Sequence, residues 1–185
     1  MSLPQKNEYY TYADYYAWDD GQRWELIEGV PYAMSPAPSM THQSISGNLY
    51  RKLSDFLQGK PCKVFYAPFD VRLNAHDGDD TVVQPDLAVI CDSSKLNDRG
   101  CIGAPDLVIE ITSPSTARHD RVVKFQQYLK AGVMEYWIID PDTKTLQVCI
   151  LESGRYFTTA YTDADTVHVK TLSGCAINLS NVFAE

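Results

Sequence analysis

The clearest pattern of apolar and polar positions lies in residues 104 to 140. Leu107 to Ile111 is an apolar, mostly β-branched run, and Thr116 to Lys130 repeats apolar residues at helical spacing before Gly132. The apolar side of this helix would consist of Val122, Phe125 and Leu129. Tyr136 to Ile139 is a second apolar run. The order predicts a strand, a helix and a strand.

The rest of the chain also contains apolar patterns that predict helices and strands. From Thr41 to Gly59 apolar residues recur at helical spacing, which predicts a second helix. Its buried side would be Ile45, Leu49, Leu53 and Phe56 or Leu57. Glu28-Gly29 and Ser153-Gly154 separate apolar stretches as hairpin turns do. The other predicted elements are a helix at Ala13 to Trp18, a strand from Lys63 to Leu73 interrupted at Pro68, and a strand from Val82 to Cys91. Together they predict an α/β fold with a mixed central sheet, flanking helices and additional β-hairpins.

Length and charge limit the fold and function classes. A chain of 185 residues, 44% of them hydrophobic, is expected to form a single domain, 1–185. The net charge of −8 opposes a sequence-independent coat for nucleic acid, although a local basic site is still allowed. No apolar stretch approaches the roughly 20 residues of a membrane helix, and no secretion signal is present. We therefore expect a soluble, cytoplasmic protein.

The cysteines give a separate expectation about redox state. The five cysteines are an odd set without a Cys-x-x-Cys pair, which argues against a disulfide framework and against a zinc knuckle. We expect reduced, mostly buried thiols.

Two carboxylates stand inside apolar runs, where a charge is costly unless it is compensated. Asp86 follows Pro85 in the predicted strand from Val82, and Glu110 lies within Leu107 to Ile111. Because side chains alternate between the two faces of a strand, Asp86 would lie on the same face as Ala88, and Glu110 on the same face as Val108. The two carboxylates can therefore converge. Oxygen ligands of this kind suit Mg²⁺ or Mn²⁺ better than zinc. A cation or a positive side chain should therefore face Glu110, and the chemistry predicted is that of phosphate esters.

The positive side chain is not adjacent in sequence. Thr112 follows Glu110 on the same side of the strand but carries no charge, so Lys124 in the next helix is the best candidate. Its stem can reach across an apolar edge. The helical wheel puts Lys124 beside the predicted apolar stripe, on the flank with Tyr128. The alternative is a solvated pair with Asp120, four residues earlier.

Several ordered motifs resemble the Uma2 family, a group of endonuclease-like proteins with the restriction-endonuclease-like fold. The matching pieces are Trp24-Glu-Leu-Ile-Glu-Gly, Met34-Ser-Pro-Ala-Pro-Ser with His42, Gln84-Pro-Asp-Leu-Ala-Val, Pro105-Asp-Leu-Val-Ile-Glu-Ile-Thr-Ser-Pro-Ser-Thr, Asp120-Arg with Lys124 and Tyr128, and Ala131-Gly-Val with Glu135-Tyr-Trp-Ile-Ile-Asp-Pro. Nucleases with this fold carry Pro-Asp followed by Glu-x-Lys. The resemblance implies that Asp86 and Glu110 hold the metal and that Lys124 replaces the lysine absent at Thr112.

The predicted function is that of a Mg²⁺- or Mn²⁺-dependent DNA endonuclease. Asp86, Glu110 and the Ile111 carbonyl would hold the metal, and Lys124 would orient the water or offset developing charge. Glu28 and His42 are accessory candidates, although a hairpin glutamate and a histidine near a helix start need no function.

Three further expectations accompany this prediction. A nuclease fold kept for binding or oligomerisation without turnover is the main alternative, and a glycosidase is a weaker one because no sugar-stacking aromatics lie near the carboxylates in sequence. Asp106 is expected to have only a structural role, at the start of its strand. The many tyrosines that look exposed predict a homodimer, because a small acidic domain would need two copies to build a longer basic track.

Overall fold

The structure is a computed structural model that describes residues 4, 8–34 and 37–184. Its strands are, in chain order, β1 (Trp24–Ile27), β2 (Val30–Ala33), β3 (Lys63–Tyr66), β4 (Val71–Arg72), β5 (Val82–Val83), β6 (Leu87–Ile90), β7 (Leu96–Asn97), β8 (Gly100–Ile102), β9 (Leu107–Ile111), β10 (Glu135–Asp140), β11 (Thr145–Glu152), β12 (Arg155–Thr162), β13 (Thr166–His168) and β14 (Ala176–Asn178). The helices are α1 (Tyr12–Tyr16), α2 (Met40–Leu57), a π-helix (His119–Lys124) and α3 (Phe125–Ala131), with short 3₁₀ turns at Ser93–Lys95 and Leu179–Asn181.

A mixed central sheet organises the fold, as predicted. Its strand order is β12-β11-β10-β9-β6-β3, in which β9 and β10 run parallel and the other neighbours antiparallel. Parallel neighbours need a crossover, and here the π-helix and α3 supply it. The predicted strand, helix and strand of residues 104 to 140 are therefore confirmed.

The central sheet buries both of its faces. One face packs on α2 and on the C-terminal pair β13–β14 through Leu87, Ile109 and Trp137, together with Leu49 and Ile177. The other face packs on α3 and on a second sheet with the order β2-β1-β5-β4-β8-β7. Residues on alternate faces of β9 thus enter different cores, which separates the Glu110 side from the Ile109 side.

The long helix and the first hairpin follow their local signals. Ser39 caps α2 by accepting a hydrogen bond from the His42 backbone N–H at 3.2 Å. Its buried side is Ile45, Leu49, Leu53 and Leu57, as predicted. Glu28 and Gly29 turn the hairpin with φ of 49° and 75°, as a two-residue turn of this kind requires. Ser35 and Pro36, part of the motif Met34-Ser-Pro-Ala-Pro-Ser, lie outside the described residues.

The predicted strand from Val82 to Cys91 is wrong as one element. It divides into β5, which pairs with β1 and β4 in the second sheet, and β6, which pairs with β3 and β9 in the central sheet. Pro85 lies in the link, where a residue without an N–H is tolerated. Asp86 therefore stands between the two sheets and not within a strand.

The cysteine prediction is partly wrong. Cys62 and Cys91 form a disulfide across the end of the β3–β6 pair, next to the opposed residues Lys63 and Ile90. Spacing along the chain could not indicate this bond, because strand pairing brings together two residues 29 positions apart. Cys101, Cys149 and Cys175 are free and buried, as expected. In the described part of the chain, no helix is both long and apolar enough to cross a bilayer.

Candidate active site

A cavity of about 1080 Å³ opens where the central sheet, the second sheet, α2 and the π-helix meet. The ionisable side chains of interest are Glu25 from β1, His42 from α2, Asp86 from the link before β6, Glu110 from β9, and His119, Asp120 and Lys124 from the π-helix. The four predicted residues Asp86, Glu110, Ile111 and Lys124 all line it. His42, an accessory candidate, lines it as well.

Glu110 is buried in β9, with 3% of its surface exposed. Lys124 Nζ donates to Glu110 Oε1 at 2.9 Å, and the Tyr128 hydroxyl donates to the same oxygen at 2.6 Å. The expectation that a positive group faces Glu110 is confirmed. Both bonds end on Oε1, so Oε2 is the oxygen that a ligand would use.

Lys124 lies among carboxylates and not on a solvated surface. Its Nζ is 2.8 Å from Glu25 Oε1 and 3.8 Å from Asp120 Oδ1, in addition to its bond with Glu110. Both Lys124 and Asp120 are buried, so the alternative of a solvated pair is wrong. Burial alone would lower the pKa of Lys124, but the charges of Glu110, Glu25 and Asp120 raise it well above its usual value. The ammonium group therefore stays protonated.

The helix that carries Lys124 turns its polar side inward. Asp120, Lys124 and Tyr128 are its buried residues, whereas Val122 of the predicted apolar stripe is 53% exposed. The helix contains a π-turn, in which the Phe125 N–H bonds the Asp120 carbonyl five residues earlier. The predicted apolar stripe is wrong at Val122, whereas Phe125 packs against the core. The flank shared by Lys124 and Tyr128 is the buried face.

Asp86 is fixed from two sides. Its Oδ2 accepts a hydrogen bond from the Ile111 backbone N–H at 2.8 Å and lies 3.2 Å from His42 Nε2. Burial lowers the pKa of His42, but the hydrogen bond and charge of Asp86 outweigh it and raise that pKa. The Nδ1 atom of the same ring is buried without a hydrogen-bond partner among the described residues, which leaves a polar atom for water or a ligand.

Sequence reasoning missed Glu25, another carboxylate of the cavity. It is 4% exposed, and its Oε1 accepts bonds from Lys124 and from the Gln84 backbone N–H at 2.9 Å. Burial disfavours its charge, yet the charge and hydrogen bond of Lys124 prevail and lower its pKa to about 2. His119 Nε2 approaches the other oxygen, Oε2, at 3.4 Å. The signal was available, because Glu25 also stands inside an apolar strand, as Glu110 does.

Glu28 is not part of this group, so its selection as an accessory residue is wrong. It occupies the hairpin turn, and its Oε1 lies 3.1 Å from Lys130 Nζ on the surface. Both side chains are more than half exposed. The turn points Glu28 away from the cavity that Glu25, on the preceding strand, lines. Asp106, by contrast, accepts the Cys91 backbone N–H at 2.7 Å, which confirms a structural role at the start of β9.

The charges of the cavity fit a divalent cation. Three carboxylates, those of Glu25, Glu110 and Asp120, lie within 4 Å of Lys124 Nζ, and Asp86 lines the same cavity. Burial, together with the neighbouring carboxylates, raises the pKa of Glu110 well above its usual value despite Lys124. Burial likewise raises the pKa of Asp120. Negative charge thus exceeds what Lys124 can offset, as expected where a cation binds.

The geometry also limits how such a cation would be held. Within the described ranges, no three side chains of His, Cys, Asp or Glu are arranged as a metal-binding group. If Asp86, Glu110 and the Ile111 carbonyl held a cation, they would leave coordination positions for water to fill. Mg²⁺ is commonly bound in this way, through one or two carboxylates and several retained waters. The residues present fit Mg²⁺ or Mn²⁺ better than a metal that requires a full protein cage.

Comparisons with known proteins agree with this description. A family model described as "Uma2: Putative restriction endonuclease" matches residues 12–180. The uncharacterized protein slr1290 of Synechocystis sp. is 29% identical over 133 residues, which are 70% of this chain and 67% of that protein. A crystal structure described as a "putative nuclease belonging to DUF820" from Anabaena variabilis superposes with a TM-score of 0.75 at 21% identity, covering 94% of this chain and 97% of the other. The architecture described above is therefore shared with that solved structure.

Proposed function

Because the chain belongs to the Uma2 family of restriction-endonuclease-like proteins, we propose that it is a metal-dependent endonuclease that hydrolyses phosphodiester bonds in DNA. One observation carries the proposal. A protonated lysine, Lys124, is held at 2.9 Å from Glu110 in a cavity that also contains Asp86. Two carboxylates and a fixed ammonium group are the groups that phosphodiester hydrolysis with a metal requires.

Each residue would have a distinct part. Asp86, Glu110 and the Ile111 carbonyl would hold Mg²⁺ or Mn²⁺. When bound, such a cation polarises a phosphate and makes a bound water more acidic. Lys124 stays charged and stabilises negative charge that develops on the phosphate, and its Nζ can orient the attacking water.

The other polar residues position these groups. Glu25 and Tyr128 hold Lys124 and Glu110 in place through bonds of 2.8 Å and 2.6 Å. His42 and the Ile111 N–H fix the orientation of Asp86, which leaves its second oxygen for the cation. Removal of any of these contacts should loosen a catalytic group without changing its chemistry.

An inactive nuclease fold that acts in binding or oligomerisation is the second candidate. The net charge of −8 and the threonine at position 112 favour it, because a DNA-cutting enzyme usually offers more positive surface. The buried carboxylates favour the enzyme. Three of them, Glu25, Glu110 and Asp120, lie around one lysine and are costly to a fold that has no use for a cation.

The proposal predicts that Asp86→Asn abolishes cleavage. Supercoiled plasmid and single-stranded circular DNA would be incubated with protein and Mg²⁺ or Mn²⁺, with and without EDTA, and nicks counted on gels. The amide keeps the shape of Asp86 but carries no charge for a cation, so activity should fall at least about 100-fold. Asp98→Asn, the same change at an exposed loop position, is the matched control and should cut like the wild type.

Three results of this assay would decide between the candidates. Cleavage by wild type that EDTA stops and Asp86→Asn lacks supports the enzyme. Cleavage that Asp86→Asn retains would refute the assigned site. Wild type that cuts neither DNA with either metal would favour the inactive fold.

A further inference from the structure

We propose that the cavity takes an unpaired strand of nucleic acid and that a base near the cleaved phosphate stacks on Tyr66. This inference rests on the proposed function and adds the substrate class. It comes from three features of the cavity: its charge, an exposed aromatic ring on its wall, and the distance between that ring and Asp86.

The cavity has too few free cations to follow a duplex. Among the described residues, its lining includes five acidic side chains and only two of Arg or Lys, Arg23 and Lys124. Lys124 is already bonded to Glu25 and Glu110. Proteins that grip duplex DNA contact about 6–10 phosphates with Lys and Arg. Affinity for nucleic acid at this site must therefore come mainly from contacts with bases.

Tyr66 offers such a contact. It lies at the end of β3, lines the cavity and is 58% exposed, although its ring is large and apolar. Tyr50 of α2 supports the ring edge-on, with centroids 4.9 Å apart and planes at 84°. A ring that is held from one side and open on the other is a stacking platform for a base, and such stacking does not depend on base identity.

The platform lies at a useful distance from the carboxylates. Asp86 and Tyr66 are tied together through the Ala67 N–H, which bonds the Asp86 carbonyl at 3.1 Å. Along α2, His42 beside Asp86 and Tyr50 beside Tyr66 are eight residues apart, or about 12 Å at 1.5 Å per residue. Between them the small residues Ser46 and Gly47 line the cavity. Successive nucleotides of a strand in B-DNA are about 3.4 Å apart, and an unpaired strand can be more extended, so the stacked base would lie within about four nucleotides of the phosphate at Asp86.

A duplex cannot present a base in this way. In a double helix each base face is covered by its neighbours, so a protein that stacks on a base needs a single strand, a loop, an end or a flipped nucleotide. The cavity lining also includes Tyr32, whose ring lies 5.0 Å from that of His119. A second aromatic residue is thus present in the lining, together with the carboxylates.

The test measures binding and does not need turnover. Fluorescence anisotropy would follow a labelled 12-nucleotide single strand and the matching duplex in Ca²⁺, which takes the same oxygen ligands as Mg²⁺. Wild type should bind the single strand more tightly than the duplex. Tyr66→Ala should weaken single-strand binding about 5- to 150-fold, the range that loss of one stacked base produces. Tyr66→Phe, which keeps the ring, should restore it.

Tyr16→Ala is the matched control, because Tyr16 is 55% exposed and lies outside the cavity lining. Its affinity should equal that of wild type. The inference is overturned if wild type binds no single strand, if it prefers the duplex, or if Tyr66→Ala binds as wild type does. Failure of this inference can be distinguished from failure of the proposed function. A protein that cuts plasmid, but whose binding of nucleic acid does not depend on Tyr66, is a nuclease with another substrate. A protein that binds single strands through Tyr66 but does not cut them is not a nuclease.

Discussion

At the scale of single residues, the cavity depends on one buried charge. Lys124 is 4% exposed and contacts Glu25 and Glu110 within 3 Å. A charge taken out of water is tolerated only when partners compensate it, and here each partner is equally buried. Loss of the lysine would leave carboxylates without compensation, whereas loss of an exposed lysine would leave water in its place.

Lys124→Ala is therefore expected to lower the free energy of unfolding by about 3–5 kcal/mol at pH 7, the usual cost of breaking a buried pair from one side. Lys130→Ala is the matched control, since Lys130 pairs with Glu28 at 3.1 Å on the surface and should contribute less than about 1 kcal/mol. Urea unfolding monitored by tryptophan fluorescence measures both. Equal losses in the two variants would contradict the buried network.

The effect of Lys124→Ala on cleavage can be separated from its effect on stability. Activity should be measured without urea, at a temperature at which circular dichroism shows that the variant is folded. A folded variant that cuts at the wild-type rate would exclude a catalytic role for Lys124. A folded variant with no activity is the expected result.

At the scale of elements, local signals predicted local structure. The Glu28-Gly29 turn, α2 with Leu49 at its centre, and β9 are as the sequence indicated, because neighbouring residues decide turns, helical stripes and apolar strands. The division of β5 from β6 and the Cys62–Cys91 disulfide were not predictable, because both depend on which sheet a strand joins. The same is true of the cavity: Glu110 could be selected from its apolar strand, but nothing in the local pattern named Glu25 as the partner of Lys124.

The π-helix is the element that local spacing could not reveal and that the site needs. Its wide turn lets His119 approach Glu25 while Lys124 reaches the same carboxylate from the next turn. Extra-wide turns of this kind arise from one additional residue within a helix and are frequent at functional sites. Val122, like Arg121, is exposed in this turn.

Deletion of Val122 should convert the π-helix into ordinary α-helix and rotate His119 and Asp120 relative to Lys124. We expect the variant to keep its helical circular dichroism, to lose about 1–3 kcal/mol of stability through misplaced buried polar groups, and to lose nuclease activity. Val122→Ala, which removes only an exposed side chain, is the control and should match wild type. Normal activity of the deletion variant would show that the wide turn has no role in the site.

At the scale of the whole molecule, the predicted homodimer now has a candidate interface. β12 lies at the edge of the central sheet, and of its eight residues only Arg155 is charged. Proteins usually protect such an edge with charge, proline or a covering element. Among the described residues β12 pairs only with β11, so a second copy that pairs with it would extend the sheet.

The hairpin geometry indicates how two copies would pair. Ser153-Gly154 forms a two-residue turn, so Glu152 and Arg155 are a hydrogen-bonded pair, and the backbone groups of alternate residues from Tyr156 onward point away from β11. Thr162, one of these alternate residues, is already bonded: its N–H to Asp165 Oδ2 at 2.7 Å and its carbonyl to the Asp165 N–H at 3.1 Å. Three residues remain for a partner, Tyr156, Thr158 and Ala160. A twofold axis that uses all three must pass beside Thr158.

Thr158→Pro should therefore abolish a dimer that forms through β12. Its N–H points away from β11, so the monomer loses no sheet hydrogen bond, whereas the dimer would lose a donor at its centre from both copies. Thr158→Val keeps the β-branched shape and the N–H and should dimerise like wild type. Sedimentation velocity over a wide concentration range, with circular dichroism to verify the fold, makes the comparison. A wild type that stays monomeric would contradict the homodimer itself, and a Thr158→Pro variant that still dimerises would place the interface on another surface.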